Sequence, residues 1–452
     1  MNEAANTANA APAPPSPRGG VFASVTTAIL ICCVLVSIAF PRFTLIAGVA
    51  AAVALLGTLL VATRRTRNIA LLLTGIGVTA AVLSIIIFEM RPETAQLGRF
   101  NQDLVAMLAS GAFIRGVLTF SDAPAEAKLK GRPAVVRTAF VTSFVSSVLN
   151  MVSIGIIGDR LERKGRLSMN NAALLAQSYA VAALWSPFWT ITALVVVYFP
   201  TVSLLPQAAT GIVFAIVLLF FIAFWNASRR SPEELEERGY SLQPKMLFLP
   251  LALIVIVIGG HFLLPDTPVP RLVALASVLV PLVFGLVRLG VRETAGRFAR
   301  VVTHGLTSSA NESALFIAAG IFTVGGSMLM MHLPFNLSSI PPSVLSAWLL
   351  SVAIVLLAMV GVHPIVSISI ASAMMLLVPG GETLYAAAIA WGWCIAAPIG
   401  PLAGTVIYIS QRYSLRDRSL IAANFPFAIA AIVLAFPAIW IVQLVGAALG
   451  LH

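Results

Sequence analysis

Charged side chains are scarce in this sequence: they make up 10% of 452 residues, against 59% hydrophobic residues. A soluble chain of this size needs a largely polar exterior, so the scarcity excludes an ordinary soluble fold. Cysteine is also rare. Cys32 and Cys33 are neighbours in the first apolar stretch, and Cys394 lies in a late one. Adjacent cysteines on one helix do not face each other, and no metal-ligand spacing is present. All three read as small core residues. No Walker-type phosphate loop and no nucleophile–base arrangement occurs, which argues against ATP-driven transport and against an enzyme. No acidic cluster lies within an apolar stretch, which argues against a cation antiporter built on buried carboxylates.

What the sequence does have is apolar length. Mean hydropathy is +0.98, and uninterrupted stretches of about 20 residues read as membrane spans. They fall at 22–41, 43–62, 69–89, 102–120, 136–157, 169–198, 209–227, 246–264, 270–290, 305–331, 341–378, 384–409 and 420–447. Residues 1–20 are rich in Ala, Pro and Asn and read as a disordered cytoplasmic tail. The stretch at 21–42 reads as a retained leading helix, because its leader is long and polar and no clear signal-peptide cleavage site follows.

The net charge of +11 sits in short loops, as the positive-inside rule expects, and nucleic acid is not implied. Basic runs at Arg64–Arg67, Lys128–Arg137, Arg160–Arg166, Arg229–Arg230, Arg288–Arg300 and Arg412–Arg418 read as cytoplasmic. Loops near 199–208, 265–269, 332–340 and 379–383 carry no Lys or Arg and read as external. Alternation of sides fails twice. Stretch 136–157 has two cytoplasmic ends and 341–378 has two external ends, so each reads as a re-entrant hairpin. Irregular backbone at membrane depth is tolerated only beside protein or a water-filled cavity, so both hairpins point to a buried polar site. About 11 transmembrane helices remain, with the amino terminus inside and the carboxy terminus outside.

The chain also repeats itself at a separation of roughly 210 residues. LASGAFIRGV (108–117) matches IAAGIFTVGG (317–326), and VLNMVSIGI (148–156) matches VHPIVSISI (362–370). LWSPFWTITALVVVY (184–198) matches IAAPIGPLAGTVIYI (395–409). Loops after matching segments have opposite charge character: GDRLERKGR against PGGET, and FPTVSLLPQ against QRYSLRDR. Matching segments therefore run in opposite directions, an inverted repeat with its site at mid-membrane. The first repeat is 43–228, with hairpin 136–157 and broken helix 169–198. A linker covers 229–245. The second repeat is 246–452, with hairpin 341–378 and broken helix 384–409.

Transporters with this plan hold substrate and ions where helices break. Ser186 and Pro187 interrupt the first long stretch, with Thr190 following. Pro398, Gly400 and Pro401 interrupt the second, with Thr405 following. The first hairpin tip offers Ser146, Ser147, Asn150 and Ser153, neutral oxygens suited to sodium or donors suited to an anion. Interhelical hydrogen bonding is the competing reading of that group. The second tip offers His363, Pro364 and Ser367. His363 is either a proton-relay group or a satisfied structural histidine. Arg115 either offsets an anionic substrate or reaches out to the cytoplasmic side, and Glu312 caps the helix beginning there.

From about residue 43 the arrangement resembles the ion transporter superfamily, particularly its divalent anion–sodium symporter branch and the arsenite-pump and TRAP large-permease branches. The first tip, Val148-Leu149-Asn150-Met151-Val152-Ser153, is similar to the Ser-Asn-Thr motif of that family. The second, His363-Pro364-Ile365-Val366-Ser367, has lost the Asn. Ser186-Pro187-Phe188-Trp189-Thr190 and Ala397-Pro398-Ile399-Gly400-Pro401 look like degenerate forms of its Thr-Pro-Pro-Asn-like stretch. The resemblance implies an all-α elevator-type homodimer in a bacterial inner membrane. It implies a secondary transporter of a small, anionic, carboxylate-like solute coupled to sodium or protons, with sodium the candidate ion and no other cofactor. An exporter of an inorganic or toxic anion and a non-transporting permease-like subunit or sensor are the competing readings.

Overall fold

A computed structural model describes residues 17–89, 100–117, 129–163, 165–199, 202–236, 239–240, 244–332, 341–375, 378 and 380–449. Among these, the regular elements are helices, apart from one isolated bridge between Arg163 and Arg166. Among the described residues, eight helical stretches are long and apolar enough to cross a membrane, and shorter apolar helices accompany them. The chain is a multi-pass, all-α membrane protein, an architecture in which helices pair most backbone groups internally and side chains serve those freed at breaks.

In chain order the helices are α1 (Pro17–Ala39), α2 (Phe43–Val61), α3 (Arg64–Ile87), α4 (Gln102–Val117), α5 (Gly131–Leu149), α6 (Val152–Leu161) and α7 (Met169–Val181). There follow α8 (Thr190–Tyr198), α9 (Leu204–Ser228), α10 (Pro232–Leu235), α11 (Pro244–Leu263), α12 (Val269–Arg288) and α13 (Val291–Thr303). The last are α14 (Ala310–Met330), α15 (Val344–Met359), α16 (Pro364–Met375), α17 (Glu382–Ile399), α18 (Gly404–Arg412) and α19 (Asp417–Ala448).

The chain divides into two compact units. The first holds α1–α4, the end of α12, α13 and most of α14. Small residues let its helices approach closely, the main source of attraction between helices where no water drives them together. Buried Ala47, Ala51 and Ala54 line the packed pair α1–α2. The crossing of α3 and α14 is tighter still: a Cβ on Gly325 would collide with the Gly77 carbonyl. Two amides tie the remaining joints. Asn101 donates to the Phe316 carbonyl (2.9 Å), and Asn311 accepts the Thr63 N–H (2.9 Å).

The second unit contains one order of elements twice: a helical hairpin, a broken helix, then a long helix. The first set is α5/α6, α7–α8 and α9, and the second is α15/α16, α17–α18 and α19. In each set the first hairpin arm packs on both the broken helix and the long helix. Hydrogen bonds fasten the second set, with Trp348 donating to the Ile432 carbonyl (2.8 Å) and buried Ser351 to the Ala388 carbonyl (2.9 Å). Helix α17 also packs against α7 and α8, so the two broken helices share one core.

Several boundaries differ from the sequence expectation. Residues 17–20, expected in the tail, are helical, while 1–16 lie outside the described residues. The first hairpin runs from 131 to 161, because Arg132, Arg137 and Arg160 lie within its arms. The basic stretch after residue 290, expected as loop, holds the helix α13. Pro398 does not break its helix. It lies in the last turn of α17, and the helix stops at Gly400. The linker contains α10, closed by a capping box between Ser231 and Glu234.

Candidate functional site

The first hairpin turns in two residues. Helix α5 ends at Leu149 because Asn150 takes φ 51°, ψ −138°, outside helical space. Asparagine tolerates positive φ better than most residues, and two side-chain bonds fix it while a third ties the arms. Tyr179 donates its hydroxyl to Asn150 Oδ1 (2.6 Å), Ser153 Oγ donates to the Asn150 carbonyl (2.6 Å), and Ser146 Oγ meets Ser153 Oγ (2.6 Å) across the arms.

The first broken helix supplies what the end of α5 lacks. After α7 the chain makes a 3-10 turn at Ala182–Leu184, then runs non-helical to Trp189. Pro187 has no N–H to continue a helix. Ser186 Oγ accepts the Phe188 N–H (3.1 Å) and donates to the Ser147 carbonyl, one of the last-turn carbonyls that have no partner within their own helix. Trp189 Nε1 donates to the Ser146 carbonyl (3.1 Å), and Thr192 closes the break onto the Ser186 carbonyl (2.7 Å). The tip and the break are thus one hydrogen-bonded body. The hydroxyls of Ser147, Ser153 and Ser186 are used inside it and all three residues are buried, as is Thr190 in the first turn of α8. Asn150, Trp185 and Pro187 are half-buried at its surface. Helix α9 closes over the break at Gly211, where a side chain would strike the Leu184 carbonyl.

The second set is built differently. Its tip carries Gly361 at φ 96°, and His363 Nδ1 accepts the Ile365 N–H (3.2 Å). His363 with Pro364 thus acts as a helix start: the ring caps an orphan N–H, and proline takes the first helical position. One turn on, Ser367 is buried and its hydroxyl has no partner. The break spans Gly400–Ala403, and Thr405 is buried in the first turn of α18. The carbonyl of Pro398 accepts Asn424 Nδ2 (2.7 Å). Asn424 Oδ1 in turn accepts from Gln177 (2.9 Å), whose Oε1 accepts from Asn226 (2.9 Å). This buried amide chain joins α9, α7, α19 and the end of α17. Sequence reasoning passed over it, although each member is a lone amide in an apolar stretch and such residues commonly bond between membrane helices.

The two sets interlock. Gly155 on α6 lies against the Tyr408 hydroxyl of α18. Ser369, which aligns with Gly155, lies 3.4 Å from the Tyr198 hydroxyl of α8. Each second hairpin arm therefore leans on the half-helix of the other set. At the outer end of the first contact, Arg412 holds Asp159 with two bonds (3.0 and 2.6 Å) and Tyr413 adds a third (3.0 Å). The Arg412 hydrogen bonds hold the Asp159 carboxyl below its usual range, outweighing its partial burial.

The predicted site residues thus all lie in the second unit, around two tips and two breaks. None of them is acidic. What they present is amide, hydroxyl, imidazole and backbone dipoles, which solvate an anion through donors or sodium through oxygens. Among the described residues no group of three His, Cys, Asp or Glu could hold a metal ion. Arg115 belongs to the first unit and donates to Ser308 (2.8 Å), and Glu312 lies in the first turn of α14.

No family model matches this chain, and no curated protein matches its sequence. Among solved structures it is similar to the YdaH transporter of Alcanivorax borkumensis. The TM-score is 0.54 with 17% identity, over 84% of this chain and 98% of that one. The chain shares the overall fold of that protein. At that identity the likeness concerns fold alone, and the chemistry rests on the residues above.

Proposed function

We propose that this chain is a secondary active transporter of a small, anionic, carboxylate-like organic solute, driven by a sodium or proton gradient across a bacterial inner membrane. The supporting observation is the single hydrogen-bonded body formed by the first hairpin tip and the first helix break, with the Asn150 amide half-buried at its surface. Helix breaks packed together in a membrane core give a solute polar groups without charge, the arrangement from which transport sites are made. The two sets of elements are the hairpin and broken-helix parts of the halves 43–228 and 246–452, which we take as an inverted repeat. The amino terminus is cytoplasmic, the carboxy terminus external, and the working unit a homodimer with an elevator-type motion.

Proteoliposomes decide it. Uptake of candidate acids is measured with sodium and proton gradients imposed separately. One gradient should drive uptake of one acid, and Asn150→Ala and His363→Ala should each reduce it. Uptake indifferent to both substitutions rejects the site, and no gradient-driven uptake of any acid rejects the function.

A further inference from the structure

Helix α13 has no part in the transport site. Its contacts run across the ends of three membrane helices of its own unit. Thr294 packs on Gly285 in the last turn of α12, and Val301 packs on Gly116 in the last turn of α4. The Val301 carbonyl accepts Ser24 Oγ (3.3 Å) near the start of α1. The Phe298 and Phe113 rings lie 5.0 Å apart, and Arg297 reaches the Val117 carbonyl at 3.1 Å. A helix that touches three helix ends runs along the membrane surface.

The sides left uncovered are of two kinds. At about 100° per residue, Val291, Ala295 and Val302 share one flank, Glu293 and Arg300 the opposite flank, and Arg292 the outer side. Val291 is 73% exposed, and four residues earlier, at the end of α12, Val287 is 76% exposed. Arg297 and Arg300 pair with Glu293 (2.9 and 3.7 Å). Arg288 and Arg292 bracket Val291 and have no partner among the described residues. Apolar side chains flanked by uncommitted arginines on a helix in the surface plane match the headgroup layer, where valine meets acyl chains and guanidinium meets phosphate.

We infer that α13 is an interfacial anchor that seats Val287 and Val291 at the acyl boundary and binds anionic phospholipid headgroups through Arg288 and Arg292. The test uses the full chain with its cysteines replaced and a fluorophore on Val291→Cys, in nanodiscs of phosphatidylcholine with phosphatidylglycerol. A nitroxide on the upper acyl chain should quench the fluorophore and aqueous iodide should not; quenching by iodide alone overturns the anchor. Arg288→Gln with Arg292→Gln should lower the phosphatidylglycerol that co-purifies with the protein, by roughly five-fold per arginine. Unchanged retention overturns the headgroup contact. If that variant does not fold, raising salt on the parent protein gives the same reading, because exposed charge contacts are screened. Retention that ignores salt overturns it equally.

Discussion

Replacing Asn424 with leucine removes a fully buried amide that carries two bonds, one from Gln177 (2.9 Å) and one to the Pro398 carbonyl (2.7 Å). Side-chain hydrogen bonds between membrane helices average about 0.6 kcal/mol and reach about 1.7. Two such bonds, with a polar group left buried at each end, predict a loss of about 1–3 kcal/mol. Gln177→Leu should cost a similar amount, because it forfeits its bonds to Asn424 and Asn226. The two substitutions share one bond, so the double variant should be less destabilised than the sum by about 0.5–1.5 kcal/mol. Reversible unfolding in bicelles, driven by steric trapping, measures all three. Ser351→Ala, which removes one bond to the Ala388 carbonyl, sets the scale for a single contact at about 0.6 kcal/mol. An additive cycle, or an Asn424 variant no weaker than Ser351→Ala, would refute the amide chain as a structural unit.

At Asn150 the φ of 51° favours glycine, whereas the Tyr179 bond favours asparagine. Asn150→Gly should therefore leave thermal stability nearly unchanged, while Asn150→Ala keeps the strain, loses the bond and costs about 1–3 kcal/mol; melting curves of the two variants separate these effects. Because Arg412 depresses the Asp159 carboxyl, the stability of that pair is present above the ordinary carboxylate range and is lost as pH falls through the depressed value. Both side chains are nearly half exposed, so Asp159→Asn should cost no more than about 1 kcal/mol at neutral pH and nothing in strong acid. Exchanging the charges, Asp159→Arg with Arg412→Asp, should recover part of that loss in the same unfolding assay.

Loop charge and apolar length were enough to read the class of this molecule, because a bilayer constrains composition at every span. The breaks at Ser186–Pro187 and Gly400–Pro401 were legible for a local reason: proline and glycine act on the backbone they occupy. Partnership was not legible. Ser147 and Ser186 look in sequence like free oxygens awaiting a ligand, yet the carbonyl at the end of α5 needed a donor and Ser186 supplied it. His363 reads in sequence as either a relay group or a structural histidine, and only the fold shows that its δ nitrogen caps a helix. Gln177, Asn226 and Asn424 are far apart in the chain, so nothing local marks them as one chain of bonds. Helix α13 escaped notice because it is too short to span a membrane and its arginines resemble ordinary loop charges.

The leaning of each second hairpin arm on the other set of elements has a consequence for synthesis. Asp159 and Arg412 are 253 residues apart. At roughly 5–20 residues per second, the first hairpin leaves the ribosome on the order of 10–50 seconds before its clasp exists. Through that interval the arm from Ser153 to Asp159 has no Tyr408 or Tyr413 to lie against. For that time the first hairpin is held by its own set, through Tyr179 on Asn150 and Ser186 on the Ser147 carbonyl.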